Sequence, residues 1–372
     1  MFKITSSSGN ARAGVLKTAH GKMHTPCFKA VATKAAVKYM PSFMLEKIGQ
    51  EAIISNAFLL SLRPGLETIK QYGGIHKFMD FNGTIFTDCG GFQVLSLVND
   101  HHLNTTPKGL MFRSPFDGTK VTLTPKNLVQ IQHTINSDVA MALDHMPLYG
   151  CSKEEAKQSV DNTYAWMKEC KNLHDELRES TNSKQLMFGI AQGSVYPELR
   201  EKSTRQIDSL GFDGIAFGGL AVGEPRDQTL KMIELSIKNC SWEKPHYAMG
   251  VGNPVDVLNC ISLGVDTFDS VFPTRNARHG HLFTRQGTIN IKNSKFRNVH
   301  SPIDEKCNCE TCKRYTIAYV HHLFRAKERV AEMLCTVHNL TFMQELMKDS
   351  RKAIEEDRFE EFKDKFIKDY DG

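Results

Sequence analysis

Short apolar runs that alternate with amphipathic stretches constrain the fold of this chain most strongly. The apolar runs predict strands at residues 52–57, 84–87, 138–143, 186–192, 214–218, 246–251 and 265–269. The stretches between them predict helices at residues 125–136, 153–177, 196–210, 226–238 and 254–263. Near-continuous apolar strands separated by helices are typical of a parallel sheet covered on both faces. The pattern therefore predicts an α/β protein with a (β/α)8 TIM barrel, and the absence of G-x-G-x-x-G after an early strand disfavours an open dinucleotide-binding sheet.

The pattern changes towards the C-terminus, from about Cys307 onward. Long helices are predicted there, at residues 313–335 and 341–368. We therefore expect residues 1–300 to form the catalytic barrel, with small N-terminal β elements. Residues 301–372 are expected to form a helical subdomain packed on it, because no repeat or low-complexity linker separates the two.

Composition is that of a soluble enzyme, with 40% hydrophobic and 24% charged residues in 372. The N-terminal segment has no apolar h-region, and no apolar run approaches the length of a membrane span. Most of the ten cysteines stand alone in apolar segments, a pattern that favours reduced thiols over a disulfide framework. We expect a cytoplasmic protein with no membrane association.

Positive charge is concentrated in one stretch, although the net charge is only +5. Residues 273–329 contain 12 Lys and Arg against four Asp and Glu, so this stretch carries +8 and the remainder −3. A local basic surface of this kind suits the phosphate backbone of a nucleic acid. A solvated face with no partner is the alternative that charge alone leaves open.

A C-x-C-x-x-C cluster predicts a metal site. Cys307, Cys309 and Cys312 form the cluster, and His338 follows after 25 intervening residues. Three thiolates and one imidazole make a closed tetrahedral set, the usual composition of a structural zinc site. His321 and His322 are competing imidazole ligands. A closed set leaves no open position for catalysis, so we expect the zinc to be structural.

Polar residues follow the predicted strands where a barrel would place an active site. They are Asp88, Asp144, Gln192, Gly218, Gly219, Gly250 and Asp269. The carboxyl ends of barrel strands carry the chemistry in this architecture. A turn or helix cap would also be polar, so it is the shared register of all of them that favours a site.

Three of these residues are aspartates whose surroundings suit glycosidic chemistry. Asp88 precedes two glycines and Phe92, which offers a stacking face, and Asp269 is followed by Arg275 and Arg278. With Asp144, they provide a nucleophile, a general acid/base and a base-recognition group. A metal hydrolase is the competing class, and the lack of an H-x-H pair at a strand end counts against it. Residue types alone favour glycosyl transfer and leave both classes open.

Longer strings resemble a known family, the tRNA-guanine transglycosylases of the bacterial type. The matching strings are TDCGGFQ (87–93), AQGSVY (191–196), GFDGIAFGGLAVGE (211–224), MGVGNP (249–254), FDSVFPTRNARHG (268–280) and CNCETC (307–312). They occur in the family's order over essentially the whole chain.

The resemblance implies a zinc-bearing (β/α)8 barrel with one structural Zn²⁺ per subunit. It implies an enzyme, a pentosyltransferase, that replaces guanine at the wobble position of tRNAs with a GUN anticodon, those for Asp, Asn, His and Tyr. The incoming group is a free 7-deazaguanine base, inserted during queuosine modification. Asp269 matches the nucleophile, which forms a covalent intermediate with ribose C1′, and Asp88 matches the general acid/base.

The resemblance also assigns binding positions. The residues that match the base-binding positions are Asp88, Phe92, Asp144, Gln192, Gly219, Leu220 and Met249. Arg275 and Arg278 match positions that hold the RNA around a flipped-out nucleotide. The resemblance also implies a homodimer. Tyr315, Tyr319 and His322 match aromatic interface positions of the family, and packing of these residues inside their own subunit is the alternative.

The chain departs from the family pattern at two places. Cys89 stands where Ser is usual, and His145 and Met146 follow Asp144 in place of Glu-Cys. Val222 keeps the bacterial pattern, where eukaryotic relatives tend to have a smaller residue. We therefore expect 7-aminomethyl-7-deazaguanine (preQ1) as the incoming base, with queuine as the alternative. Action on DNA or another tRNA position stays open, and a non-catalytic partner subunit is disfavoured because both Asp88 and Asp269 are present.

Overall fold

A computed structural model describes residues 2–90, 104–114 and 116–371. In chain order the strands are β1 (Phe2–Ser8), β2 (Ala11–Thr18), β3 (Gly21–Thr25), β4 (Cys27–Val31), β5 (Ala52–Asn56), β6 (Thr84–Asp88), β7 (Asn104–Thr106), β8 (Gly109–Arg113), β9 (Lys120–Leu123), β10 (Val139–Met141), β11 (Leu186–Ala191), β12 (Gly214–Phe217), β13 (His246–Ala248), β14 (Thr267–Ser270), β15 (His281–Thr284) and β16 (Gly287–Asn290). The α-helices are α1 (Ser42–Lys47), α2 (Ala57–Leu60), α3 (Leu66–Gln71), α4 (Ile75–Met79), α5 (Pro125–Ile135), α6 (Lys153–Thr181), α7 (Pro197–Ser209), α8 (Arg226–Ile237), α9 (Pro254–Leu263), α10 (Phe272–His279), α11 (Glu310–Arg314), α12 (Ile317–Arg325), α13 (Arg329–Glu355) and α14 (Phe359–Asp371).

Eight parallel strands close into a barrel, which confirms the predicted fold class. Their order around the barrel is β4, β5, β6, β10, β11, β12, β13 and β14, and the last strand pairs with the first. All seven predicted strands are present, with ends that differ by a few residues. The prediction missed β4, because Lys29 interrupts its apolar run, yet every residue of this strand is buried. The predicted helices between the later strands also correspond to α5 to α9.

Local sequence signals explain where these helices begin and end. Thr124 and Ser152 each form a capping box at the start of α5 and α6, where the side chain accepts from the third backbone N–H of the helix. Asn253 caps α9, whose first residue is Pro254. Helix α9 ends at Gly264, with φ of +106°, a conformation that favours glycine. The helices thus end close to the strands and orient the connecting loops.

The N-terminal strands β1, β2 and β3 form an antiparallel sheet that is tied to the barrel by a buried ion pair. The Arg12 guanidinium donates from Nε to Asp266 Oδ1 at 3.0 Å and from Nη2 to Asp266 Oδ2 at 2.5 Å. It also donates to the carbonyl of Lys244 at 2.7 Å. Both side chains are fully buried, and burial raises the pKa of Asp266 to about 6 although Arg12 opposes the rise. The bidentate geometry and the added hydrogen bonds therefore offset only part of the cost of desolvating two charges.

The predicted helical pattern of the C-terminal region was wrong in detail. The stretch predicted as one helix at 313–335 is broken twice, where Thr316 caps α12 and where Lys327 adopts a φ of +60°. The predicted gap near 336–340 lies inside α13. It looked like a break because Thr336, His338 and Asn339 are polar, but these side chains are buried and hydrogen-bonded.

The long helix α13 packs against β1, β2, β4 and α10, and so contacts the barrel directly. The division between barrel and helical subdomain at residue 300 stays a prediction. No helix within the described part of the chain is long and apolar enough to cross a membrane.

Candidate active site

A cavity of about 760 Å³ opens at the carboxyl ends of the barrel strands. The predicted site residues that line it are Asp88, Asp144, Gly219, Leu220, Met249, Asp269 and Arg275. Phe92 lies outside the described residues. The cavity is thus a single space in which three carboxylates from β6, β14 and the loop after β10 meet.

Asp144 is held in place by two side chains. Gln192 donates from Nε2 to Asp144 Oδ2 at 2.5 Å, and the Cys89 thiol donates to Asp144 Oδ1 at 3.2 Å. Burial raises the pKa of Asp144, and these two hydrogen bonds oppose the rise. Gln192 is fully buried and does not line the cavity, but it contacts Asp144, which does. Cys89, which replaces the usual Ser, still provides a donor, although a thiol is a weak one.

The carboxyl group of Asp88 has a pKa close to neutral pH. Its side chain ends β6 and is 7% exposed. Burial first, then the charges of Asp144 and Asp269, raise the pKa of Asp88 from 3.8 to about 7, against hydrogen bonds from the backbone of Cys89 and Gly90. A group with this pKa can both donate and accept a proton at neutral pH.

Asp269 has a different environment, with two donors on one oxygen. The Tyr247 hydroxyl donates to Asp269 Oδ1 at 2.5 Å, and the backbone N–H of Gly250 donates to the same oxygen at 3.1 Å. Asp269 is half-buried at the end of β14, and Tyr247 is fully buried inside the barrel. These donors stabilise a carboxylate and leave Oδ2 for another contact.

The loop after β12 forms one wall of the cavity, and Arg200 holds it by hydrogen bonds to backbone carbonyls. This fully buried guanidinium donates to the carbonyls of Ala191, Ser194 and Gly218 at 2.9 to 3.0 Å. Gly219 has a φ of +67°, and a Cβ there would lie 2.4 Å from Gln192 Oε1. Glycine is therefore required both by the backbone and by the close approach of Gln192.

Several functional neighbours were missed by sequence reasoning. In the sequence, Tyr247 looks like an ordinary strand residue. Arg200 looks like a cation on the surface of a helix, and Glu224 looks like an acid in a loop. Glu224 accepts from the Val222 backbone at 3.0 Å and from Thr229 Oγ1 at 2.7 Å, and it also lines the cavity. A charged residue inside the apolar periodicity of a helix was the available signal for Arg200.

Besides Gln192, two residues named in the sequence analysis, His145 and Arg278, do not line the cavity. His145 was expected to flank the pocket, and this was wrong: its ring hydrogen-bonds Thr105 and Asn162, each at 3.2 Å. Met146 does line the cavity. Arg278 is half-buried on α10 and does not line the cavity, whereas Arg275 on the same helix is exposed at its mouth.

The cysteine cluster and His338 converge as predicted. The Nδ1 atom of His338 lies 3.6, 3.6 and 3.3 Å from the sulfurs of Cys307, Cys309 and Cys312, and all four residues are buried. Ligands about 2.0–2.3 Å from a tetrahedral Zn²⁺ are separated by about 3.5 Å, so the set fits a metal ion. His338 Nε2 lies 2.7 Å from the Phe283 carbonyl, a contact that makes Nε2 the protonated nitrogen and turns the Nδ1 lone pair towards the sulfurs. The competing His321 binds the Ile291 carbonyl instead.

A second group of metal-binding residue types, His20, His76 and Asp138, is better explained by hydrogen bonds. Asp138 accepts from both rings at 2.9 Å and from the backbone of His20 and Ile85. The two imidazoles are stacked 3.4 Å apart and within 16° of parallel. A metal ion must lie near the plane of each imidazole it binds, and two stacked parallel rings do not share such a position.

The fold and the site together define a barrel enzyme with a carboxylate-lined cavity and a separate, closed Cys3His group. A family model described as queuine tRNA-ribosyltransferase matches residues 6–372. The chain is 44% identical over 369 residues to a queuine tRNA-ribosyltransferase of Thermotoga neapolitana, covering 99% of this chain and 98% of that protein. The chain therefore belongs to the queuine tRNA-ribosyltransferase family, whose members are transferases.

Further relatives agree in length. The protein of the same name from Acinetobacter baylyi is 44% identical over 361 residues, covering 97% of this chain and 92% of that protein. The one from Clostridium acetobutylicum is 43% identical over 376 residues, covering all of both chains. The alignments include the barrel, the cysteine cluster and the C-terminal helices, so the family match extends to the whole architecture.

The raised pKa of Asp88 predicts how stability depends on pH. The folded pKa of Asp88 lies above the unfolded value of 3.8, so Asp88 costs no stability below pH 3.8, where it is protonated in both states. The cost grows as the pH rises above 3.8 and is complete above about pH 7. Asp88→Asn removes this penalty. We expect its gain in unfolding free energy over the wild type to be about 2–3 kcal/mol larger at pH 8 than at pH 5. Urea unfolding at both values measures it.

Asp364→Asn is the matched control for this comparison, since Asp364 is 77% exposed. Its effect should not change between pH 5 and pH 8. A gain for Asp88→Asn that is equally independent of pH would contradict the environment assigned to Asp88.

Proposed function

We propose that this chain exchanges guanine at the wobble position of tRNAs with a GUN anticodon for a free 7-deazaguanine base. Membership in the family supports this reaction. The observation that carries it is the difference between two carboxyl groups on one cavity: Asp88, with its pKa near 7, and Asp269, held by two donors. Their strands are separated by β4 and β5 around the barrel, so a ribose can lie between them.

The proposed exchange is a retaining reaction in two steps. Asp269 attacks C1′ of the ribose, the C1′–N9 bond breaks, and its electron pair leaves with guanine, which takes the proton of Asp88. Asp88 then removes the proton from the incoming base, whose nitrogen attacks C1′ and releases Asp269 as a carboxylate. One glycosidic bond is broken and one is formed, so no redox cofactor is needed.

Base recognition is proposed for the wall formed by Asp144 and the loop after β12. A purine with the guanine edge presents N–H donors, which suit the Asp144 carboxylate, and a carbonyl oxygen, which suits backbone N–H groups of Gly219 and Leu220. Gln192 acts by fixing Asp144, to which it donates. Met249 lines the cavity and offers an apolar surface for the ring. The stacking role of Phe92 stays a prediction.

The tRNA is proposed to bind across the mouth of the cavity. Arg275 is exposed there on α10, directly after β14, and Arg278 follows one turn later. Both belong to the basic stretch at residues 273–329. Because the reacting base must leave its stack to enter the cavity, contacts to the neighbouring phosphates have to hold the loop open around it.

Exchange of labelled guanine into an unmodified GUN-anticodon tRNA tests the reaction. Wild type should incorporate label, Asp269→Asn should incorporate none, and Asp88→Asn should be slower by roughly 10²–10⁴-fold, the usual contribution of a general acid/base. Asp364→Asn, exposed and distant in sequence, should match the wild type. If folded, metal-loaded wild type incorporates no label, the chain is instead a partner subunit or acts on a different nucleic acid.

The incoming base is proposed to be 7-aminomethyl-7-deazaguanine. The side chains of Val222 and Met146 restrict the cavity beside the base, and Glu224 adds a further acid to its lining. A small substituent that ends in an ammonium group fits such a wall better than the bulky ring of queuine. Queuine remains the alternative incoming base.

Competition between the two free bases tests this choice. We expect the aminomethyl base to displace labelled guanine from tRNA at least about tenfold more efficiently in kcat/KM than queuine, equivalent to about 1.4 kcal/mol in transition-state binding. Val222→Gly should narrow the ratio by making room for the larger base. A wild-type preference for queuine would refute the assignment.

We further propose that the Cys3His group holds one structural Zn²⁺. The ion would cross-link the segment of the three cysteines to α13 and to the hairpin of β15 and β16, which is contacted through His338. It has no part in the proposed bond changes, because the closed set leaves no position for a substrate.

Metal analysis of the purified chain should give one zinc per chain, and Cys309→Ser should lose it and melt at a lower temperature. Cys335→Ala is the matched control, because Cys335 is fully buried on α13 and is not part of the group. Retention of zinc by Cys309→Ser, or its loss from Cys335→Ala, would contradict the proposed ligand set.

The homodimer and the cytoplasmic location stay predictions. Tyr315 and Tyr319 stack with ring centroids 5.2 Å apart, and Tyr319 is 43% exposed, which leaves an aromatic surface beside the metal group. His322 lies on the same helix, α12, and is exposed. This exposure supports the proposal that the three residues contact a second subunit.

A further inference from the structure

Lys29 is a buried cation inside the barrel. It lies in the middle of β4, it is fully buried, and its Nζ has no hydrogen-bond partner among the described residues. The Nζ atom is 3.6 Å from the ring centroid of Tyr247 and 4.5 Å from that of Phe86. An ammonium group without a hydrogen bond is costly to bury, and two aromatic faces recover only part of that cost. Packing alone therefore does not explain a lysine at this position.

The position of Lys29 links it to the candidate nucleophile. Lys29 and Asp269 are register partners where β4 pairs with β14, and residues in parallel register face the same side of a sheet. The Tyr247 ring that lies against Nζ carries the hydroxyl that donates to Asp269. The ammonium, the phenol and the carboxylate thus form a continuous group across β4, β13 and β14.

The other titratable groups around this set are a neutral thiol, the carboxyl groups of the cavity and an arginine at its mouth. Cys27 is on the same strand, and burial raises the pKa of its thiol to about 12, so it stays neutral. Asp88 and Asp144 face the same cavity as Asp269, and Arg275 lies at its mouth. Burial lowers the pKa of Lys29 to about 8, and the charge of Asp269 opposes this change, so Lys29 is still largely charged at neutral pH.

We propose that Lys29 is a positioning residue whose charge keeps Asp269 ionised while Asp88 carries the proton that the departing base needs. This inference rests on the proposed function. Three aspartates around one cavity compete for a proton, and a protonated Asp269 has no electron pair available to attack C1′. The cation on β4 favours the state in which the proton is on Asp88. Lys29 provides no atom to the reaction and acts only through its charge.

Lys29→Met tests the proposal, because methionine keeps an unbranched side chain of similar length and removes the charge. We expect the low-pH side of the exchange profile to move up by about one pH unit, so that kcat on that limb is up to about tenfold lower, while KM for tRNA and base is unchanged. The exposed Lys22 provides the control, and Lys22→Met should match the wild type. An unchanged profile, or a loss of kcat that is the same at every pH, overturns the proposal.

Thermal stability distinguishes a role of the Lys29 charge from a role of its side chain in packing. The folded pKa of Lys29 lies below the unfolded value of 10.5, so the wild type is penalised below about pH 8 and the penalty fades towards pH 10.5. Lys29→Met should therefore melt several degrees higher than wild type at pH 7 and approach it near pH 10. A variant that melts lower at pH 7 would indicate that Lys29 only fills space.

A readout without turnover distinguishes failure of this inference from failure of the proposed function. In protein labelled with ¹³C at aspartate carboxyl groups, the Asp269 resonance, assigned from Asp269→Asn, should titrate about one pH unit higher in Lys29→Met than in wild type. If this shift occurs but no exchange is detected, the proposed function fails and the coupling stands. If exchange occurs and the shift is absent, the role of Lys29 fails alone.

Discussion

The pairing of β4 with β14 is the contact on which the rest of the site depends. It closes the sheet, with partners from Cys27 and Thr267 through Ala30 and Ser270. Without closure, the carboxyl ends of eight strands would lie along an open edge and the aspartates of β6 and β14 would not share a cavity. The same pairing places Lys29 beside Asp269. Closure therefore determines both the shape of the site and its charge.

Within the closed barrel, burial creates the chemical difference between similar side chains. Asp144 accepts hydrogen bonds from Gln192 and Cys89. Asp269 accepts from Tyr247 and Gly250, and Asp88 accepts from backbone N–H groups. Burial and the charges of Asp144 and Asp269 outweigh these donors at Asp88 and raise its pKa to about 7. The three different roles proposed for these aspartates thus rest on their neighbours, because the side chains themselves are chemically identical.

The sequence predicted those parts of the fold and the site that depend on local pattern. Apolar periodicity identified seven barrel strands, and cysteine spacing identified the metal group before any contact was known. The missed strand, β4, has a lysine where the pattern requires an apolar residue. The contacts of that lysine, with Tyr247 and with its register partner Asp269, come from residues more than 200 positions away in the chain and are not visible in the local pattern. His145 failed for a related reason, since its side-chain direction is set by Thr105 and Asn162 and not by its distance from Asp144.

Two polar residues inside α13 connect the metal group to segments next to the active site. His338 and Asn339 contributed to the wrongly predicted gap, yet in the fold their side chains bond outward from the helix. Asn339 donates to the carbonyls of Pro273 and His281 and accepts from the backbone of Phe283, and His338 binds the Phe283 carbonyl.

Pro273 is in α10, the helix that begins two residues after β14 and carries Arg275. A metal ion on His338 would therefore restrain α13, the β15–β16 hairpin and α10 together. In this arrangement a structural ion, with no access to substrate, would still limit how far Arg275 can move relative to Asp269. Rigid support of this kind matters for a reaction in which a macromolecular substrate must present one sugar carbon to one carboxylate.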